Sequence, residues 1–240
     1  QSMSENRRTP LRAFKQHLEG LSALGVTAVP REAHRAPSKT ERLGALAHEV
    51  ERCRRCPLYR TRTHAVVSDG SSNARLMFIG EAPGRDEDLQ GKPFVGAAGQ
   101  LLTKMIQAMG LRREDVYICN VLKDRPPGNR TPEPDEVEAC LPFLREQIAI
   151  VRPSVICVLG AVAAKAMLGP HVAITKIRGS VCEYEGISLV PTFHPAYLLR
   201  NPDAKKFAWA DLKLVKKILG NKQPRPADRS SRGGQATSNT

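Results

Sequence analysis

From residue 75 onward the chain repeats one pattern: a short unbroken apolar run, a stretch with helical spacing, then another apolar run. Such runs, without polar alternation and bounded by turn residues, are what strands covered on both faces look like. Strands are expected at 75–79, 116–122, 154–159 and 187–193, and helices at 97–110, 134–151, 160–168 and 202–219. Strands joined through helices cannot pair as hairpins, so the alternation calls for an α/β fold with a mainly parallel sheet covered on both faces. Residues 171–186 have room for one further strand, turning at Glu185-Gly186 into the strand that ends before His194.

Open sheets of this kind place ligand chemistry just beyond the carboxyl ends of their strands. The first apolar run, Leu76-Met77-Phe78-Ile79, ends in GEAPGRDEDLQGKPFVG, residues 80–96. This segment has neither the lysine and hydroxyl of a phosphate loop nor the spacing of a dinucleotide fingerprint. Four acidic residues within eight positions (Glu81, Asp86, Glu87 and Asp88) would repel a phosphate. Phe94, between Pro93 and Val95-Gly96, adds a flat apolar surface, and carboxylates beside an aromatic plate suit an uncharged planar ring. The plainer reading is a solvated acidic turn.

Two other strand ends are similarly loaded. Asn120 closes the second run, and its amide carries both a donor and an acceptor, so it can complement a nucleobase edge that offers both. Alone, an Asn in that place is a turn-former. The last run, Leu189-Val190-Pro191-Thr192-Phe193, leads into His194-Pro195-Ala196-Tyr197-Leu198-Leu199-Arg200. A histidine there can donate to an oxygen that gains charge in a transition state, or it can merely cap the strand. Bulky apolar residues ending in a cation are what a DNA wedge needs, although at least one of the two leucines is expected to pack.

Lys and Arg total 37 against 24 acidic residues, a net charge of +13, which argues for a polyanionic partner such as nucleic acid. Basic tails account for part of the excess, but Arg52, Arg54, Arg55, Arg60, Arg62, Lys123, Arg125, Arg130, Arg178 and Arg200 lie within the expected core domain. No apolar run is long enough to span a membrane and no signal peptide is visible. Gln1-Ser2 ahead of Met3 reads as a tag remnant. Residues 10–24 have helical spacing, 25–40 read as a linker, a helix is expected at about 40–52, and the tail from Asn221 has the composition of a disordered segment. The expected division is an extension at 1–38, a domain at 39–220 and a basic tail at 221–240.

Five segments together resemble the family 4 uracil-DNA glycosylases: GEAPGRDEDLQGKPFVGAAGQLL at 80–102, NVLKDRPPGNRTPEPDE at 120–136, LGAVAAKAMLG at 159–169, ITKIRG at 174–179 and HPAYLLRNP at 194–202. The resemblance implies a three-layer α/β/α sandwich around a short, mainly parallel, four-stranded sheet. It implies a base excision repair enzyme that flips uracil out of single- or double-stranded DNA and hydrolyses its glycosidic bond. Carried over by position, Glu81 would position water or support the charge on the sugar, and the Ala82 backbone would contact the uracil. Glu87 would close the pocket and disfavour the methyl group of thymine. Phe94 would stack on the base, Asn120 would read its N3–H and O4 edge, and His194 would stabilise O2. Leu198, Leu199 and Arg200 would form the strand-invading loop. A cytoplasmic monomer is expected, with no membrane partner.

The resemblance also implies four cysteines holding a structural [4Fe–4S] cluster. Cys53, Cys56 and Cys140 match three of the positions, but the remaining one falls on Asp124. Asp124 acting as an oxygen ligand is the leading expectation; a three-iron cluster, a zinc held by three cysteines and the aspartate, and loss of the cluster stay open. Cys119, Cys157 and Cys182 read as small core residues. Two other functions also stay open. One is a superfamily member that traps uracil-DNA covalently through a histidine-bearing basic loop, a histidine absent from Arg125–Thr131. The other is a DNA-binding module without turnover.

Overall fold

Alternate residues of each central strand go to opposite faces of the sheet, and the two sets make two separate cores. The computed structural model describes residues 35–221; the expected helix at 10–24, most of the linker and the basic tail lie outside the described residues. The strands are β1 (Asp69–Gly70), β2 (Leu76–Gly80), β3 (Tyr117–Asn120), β4 (Val155–Leu159), β5 (Cys182–Tyr184) and β6 (Ile187–Thr192). They form one six-stranded sheet in the order β1-β3-β2-β4-β6-β5. The four expected strands are the four parallel ones at its centre, and β1 and β5 add short antiparallel edges.

The sheet is thus wider than the four strands expected. β5 is the further strand for which residues 171–186 had room, and it turns into β6 where expected, with Glu185 and Gly186 both at positive φ (47° and 76°). β1 was not foreseen, because a two-residue Asp-Gly strand carries no apolar signal and exists only by pairing with β3.

The helices are α1 (Lys39–Glu51), α2 (Arg85–Gln90), α3 (Ala97–Ala108), α4 (Pro134–Val151), α5 (Ala161–Leu168), α6 (Ile174–Ile177), α7 (Pro195–Arg200) and α8 (Lys205–Asn221). Local chemistry sets their starts. Ser38 and Glu41 form a capping box on α1, and Pro134 occupies the first turn of α4, where its missing N–H costs nothing. Met77, Ile79, Tyr117, Ile156, Val158 and Leu189 pack against α4 and α5. Leu76, Phe78, Ile118, Val155, Cys157 and Val190 pack on the other face against α3 and α8. The result is the expected three-layer sandwich. Leu46 and Val50 of α1 form a satellite core with Phe143 and Ile150 of α4. Among the described residues no helix is long and apolar enough to cross a membrane.

Because β2, β3, β4 and β6 run parallel, all four end at the same edge of the sheet. Gly80 lies opposite Asn120 in the register, and Leu159 lies opposite Thr192, two residues before His194. The topology itself gathers the three loaded strand ends.

Candidate active site

Gly80, Phe94 and Asn120 form the floor of the site. A Cβ placed on Gly80 would collide with Asn120 Oδ1 and with Cζ and Cε2 of Phe94. Only glycine therefore lets the amide and the ring approach the strand end this closely. Asn120 is 1% exposed, and its Oδ1 is buried without a hydrogen-bond partner among the described residues. An orphaned buried acceptor costs about 1–3 kcal/mol, so it marks a place where a donor is missing. Behind it, the buried Lys123 donates from Nζ to the Asn120 carbonyl and to Gln147 Oε1, both at 2.6 Å. Gln147 in turn donates to Val67 O at 2.9 Å and to the Tyr117 hydroxyl at 3.1 Å. Burial pushes the Lys123 ammonium below its usual pKa. Neither Lys123 nor Gln147 stood out as a site residue in the sequence, because the hydrogen bonds that matter span up to 80 positions.

Phe94 sits at φ +55°, a left-handed conformation that an aromatic residue adopts only under constraint. Three contacts impose it. Glu87 Oε1 accepts the N–H groups of Val95 and Gly96 at 2.8 and 2.9 Å, while its Oε2 accepts Gly84 N–H at 3.1 Å. Arg113 donates to Pro93 O at 2.7 Å, and Gly99 leaves room for the Phe94 carbonyl, which a Cβ there would overlap. The acidic segment is accordingly not one loop: Arg85–Gln90 is helical, with Glu87 at its third position closing back onto Gly84. Glu87, expected to close the pocket, braces the loop that carries Phe94. Both of its oxygens are taken by backbone donors, and its effect on the pocket passes through Phe94.

His194 faces Phe94, with ring centroids 5.6 Å apart and planes inclined by 31°. Its Nδ1 accepts Ala196 N–H at 3.1 Å and so caps α7. A backbone N–H can only donate, so Nδ1 is unprotonated and the ring proton sits on Nε2. Burial first, and the nearby Arg200 charge second, push the imidazole pKa down to about 4, which keeps the ring neutral at physiological pH. Gly160, at φ +90°, is the close neighbour that makes room for it: a Cβ there would stand 3.0 Å from His194 Cβ. The β6 exit is braced by Asp211, which accepts from Thr192 Oγ1 at 2.7 Å and from Arg178 Nε at 3.0 Å. Arg178 also lies over the rings of Phe193 and Phe207.

Glu81 follows Gly80 directly, and its carbonyl accepts Leu122 N–H at 3.0 Å. Its side chain is half-buried and takes no hydrogen bond from the described residues; burial raises its carboxyl pKa. Ala82 is half-buried beside it. Beyond His194 the expected wedge loop is the short helix α7. Leu198 is 1% exposed and packs in the core with α3 and α8, whereas Tyr197 and Leu199 are 40% and 44% exposed. Leu198 is therefore a core residue. The helical turn puts its side chain on the inner face and leaves Tyr197, Leu199 and Arg200 outward.

A neutral histidine donor, an aromatic plate and an unpartnered amide acceptor meet at one sheet edge, and similarity to known proteins narrows what that combination is. Residues 67–213 match the model of the uracil DNA glycosylase superfamily. A type-4 uracil-DNA glycosylase of Thermotoga maritima is 45% identical over 186 residues, covering 76% of this chain and 97% of that protein. One from Archaeoglobus fulgidus is 44% identical over 192 residues, covering 77% and 96%. The chain belongs to the type-4 uracil-DNA glycosylases. A type-5 uracil-DNA glycosylase of Pyrobaculum aerophilum is also similar, at 35% identity over 147 residues, covering 54% of this chain and 64% of that protein.

The cysteine corner holds the residues to which the resemblance assigns a cluster. Cys56 and Cys140 are buried in the core under β3, while Cys53 packs with the satellite core of α1. Burial raises both of the deeper thiols, Cys140 to about 11. Asp124, 4% exposed, lies near enough to Cys56 and Cys140 for its charge to raise both thiols, but its carboxylate is engaged by a guanidinium. Both its oxygens accept from Arg62 Nη1, at 3.1 and 3.0 Å. Among the described residues no group of three or more His, Cys, Asp or Glu side chains is gathered to hold a metal ion. Three thiols and an aspartate committed to a guanidinium do not fit the four-ligand demand of the implied cluster. Cys119 and Cys157 are wholly buried strand residues, as a packing role requires.

Proposed function

We propose that this chain flips uracil out of DNA and hydrolyses its N-glycosidic bond, releasing the base and leaving an abasic site. The observation that carries the reading is Asn120 Oδ1, buried without a partner among the described residues and sharing the space over Gly80 with the edge of the Phe94 ring. The uracil edge offers an N3–H donor beside the O4 acceptor. Asn120 complements both, with Oδ1 accepting N3–H and Nδ2 donating to O4. Cytosine presents an acceptor at N3 and a donor at C4, reversing both partners. Phe94 supplies a flat face for the extruded ring, fixed in place before the base arrives.

Breaking the glycosidic bond leaves negative charge on the base, delocalised onto O2, and positive charge on the sugar. His194 offers Nε2–H to O2 as a neutral donor, which stabilises the anion without handing over a proton. Glu81 lies at the strand end with no charged partner among the described residues, suited to the sugar cation or to a water that attacks it. Ala82 contacts the base through its backbone, and Glu87 acts indirectly by holding Phe94. In duplex DNA, Tyr197, Leu199 and Arg200 fill the space that the base vacates, with Arg200 meeting phosphate. This chemistry uses only these side chains.

The test is release of uracil from single- and double-stranded oligonucleotides carrying one uracil, read as alkali-sensitive strand breaks. Cleavage by the wild-type chain, reduced at least about 10²-fold by Asn120→Ala, is expected. Uncleaved substrate after prolonged incubation with folded protein would overturn the reading, and a DNA–protein adduct on a denaturing gel would favour trapping instead.

A further inference from the structure

The corner built from Cys53, Cys56, Asp124 and Cys140 is where this chain departs from what its resemblance implies, and the departure has a physical replacement. We infer that a buried Arg62–Asp124 ion pair takes over the stapling task of an iron–sulfur cluster, so that this protein folds and holds its site without bound metal. The inference goes beyond uracil excision and does not depend on it.

Arg62 and Asp124 side chains are 13% and 5% exposed, so the pair is largely out of water. Asp124 spends both oxygens on Nη1, and the second guanidinium nitrogen, Nη2, donates to the carbonyl of Glu51, the last residue of α1. One side chain therefore joins three pieces of chain: the end of α1, the segment 52–68 that carries Cys53 and Cys56, and the segment leaving β3. A cluster ligated from Cys53, Cys56, Asp124 and Cys140 would join two of these pieces, the 52–68 segment and the β3 exit, and would tie them to α4 rather than to α1. Neighbouring bonds reinforce the joint. Thr63 N–H donates to Asp88 Oδ1 at 2.9 Å, and Val66 N–H donates to the Lys123 carbonyl at 2.7 Å. The segment 62–66 is thereby pinned to both α2 and the β3 exit.

Turning Asp124 into an iron ligand would require breaking this pair, which leaves a buried guanidinium without its counter-charge. The gain would be one hard oxygen donor in a site whose other donors are soft thiols, a poor match for iron–sulfur chemistry. Electrostatics and ligand type thus oppose the same exchange.

The full chain, purified anaerobically, is assayed for iron, acid-labile sulfide and zinc, with its thermal midpoint taken before and after prolonged treatment with a strong chelator. The expected result is metal far below one equivalent, no visible absorption band, and a midpoint unmoved by the chelator. Asp124→Cys, reconstituted with ferrous iron and sulfide, is expected to gain stoichiometric iron and sulfide and a brown chromophore. Stoichiometric iron and sulfide, or one zinc, in the wild-type chain would overturn the inference, as would a reconstituted Asp124→Cys that stays colourless. Arg62→Ala should lower the wild-type midpoint by about 10 °C without changing metal content; an unchanged midpoint would count against the staple. Uracil excision is measured on the same preparations and read separately.

Discussion

Replacing Glu87 tests how the aromatic plate is held. Its carboxylate accepts three backbone N–H bonds, at 2.8, 2.9 and 3.1 Å, and a hydrogen bond to a charged group contributes about 1.5–3 kcal/mol. Glu87→Gln can keep the two bonds made by Oε1, but it turns an NH2 group toward the Gly84 N–H. Because Glu87 is only half-buried and water can compensate in part, the cost should be about 1–2 kcal/mol. Glu87→Ala loses all three bonds, about 3–4 kcal/mol after the same discount. That exceeds the roughly 1–2 kcal/mol needed to keep Phe94 left-handed, so the loop should relax and carry the ring away. At about 2–4 °C per kcal/mol, the midpoints should fall by about 4 °C for Gln and about 10 °C for Ala. A plate misplaced by about 1 Å should slow single-turnover uracil excision about 10²-fold in the Ala variant, with Gln between it and wild type. Neither variant should gain activity on thymine if both Glu87 oxygens stay spent on the backbone. A Glu87→Gln protein that keeps its midpoint and releases thymine would refute the clamp and restore a direct contact.

Three further outcomes separate the roles of neighbouring residues. Leu198→Ala should cost about 2–4 kcal/mol of stability by opening a cavity in the α3–α8 core, whereas Leu199→Ala should leave the melting curve in place and slow excision from duplex more than from single strands. A pH profile of single-turnover rates should show an acid limb above the ordinary carboxylate range, because burial raises Glu81 and the ionised form is the active one; Glu81→Gln should be slow and lack that limb. His194 has a folded pKa of about 4 against an ordinary 6.5. The unfolded chain therefore binds the proton first, and stability present above pH 6.5 should fall by up to about 3 kcal/mol as pH drops toward 4, a slope that His194→Gln should lessen in denaturant titrations.

Much of this molecule is legible in its sequence because the signals are local. Short unbroken apolar runs bounded by turn residues suit strands covered on both faces, and the four found that way are the four parallel strands of the sheet. Asn120 and His194 are visible as polar residues at the ends of such runs. The helix α2 was hidden because Arg85–Gln90 holds one apolar residue, Leu89, and that residue is exposed. The strand β1 was hidden because its two residues, Asp69 and Gly70, have no apolar face.

Sequence alone determined the α/β class, the parallel core and the three strand ends at which chemistry collects, since periodicity and parallel connection dictate them whatever the side chains touch. Tertiary structure decided which oxygen is left without a partner, which of Leu198 and Leu199 faces water, and that Glu87 serves the backbone. It also decided the fate of Asp124. The residue is plain in the sequence as a missing cysteine, but its partner Arg62 lies 62 positions away. An ion pair across that distance exists only because parallel strands and a looping segment bring the two charges into one dry corner.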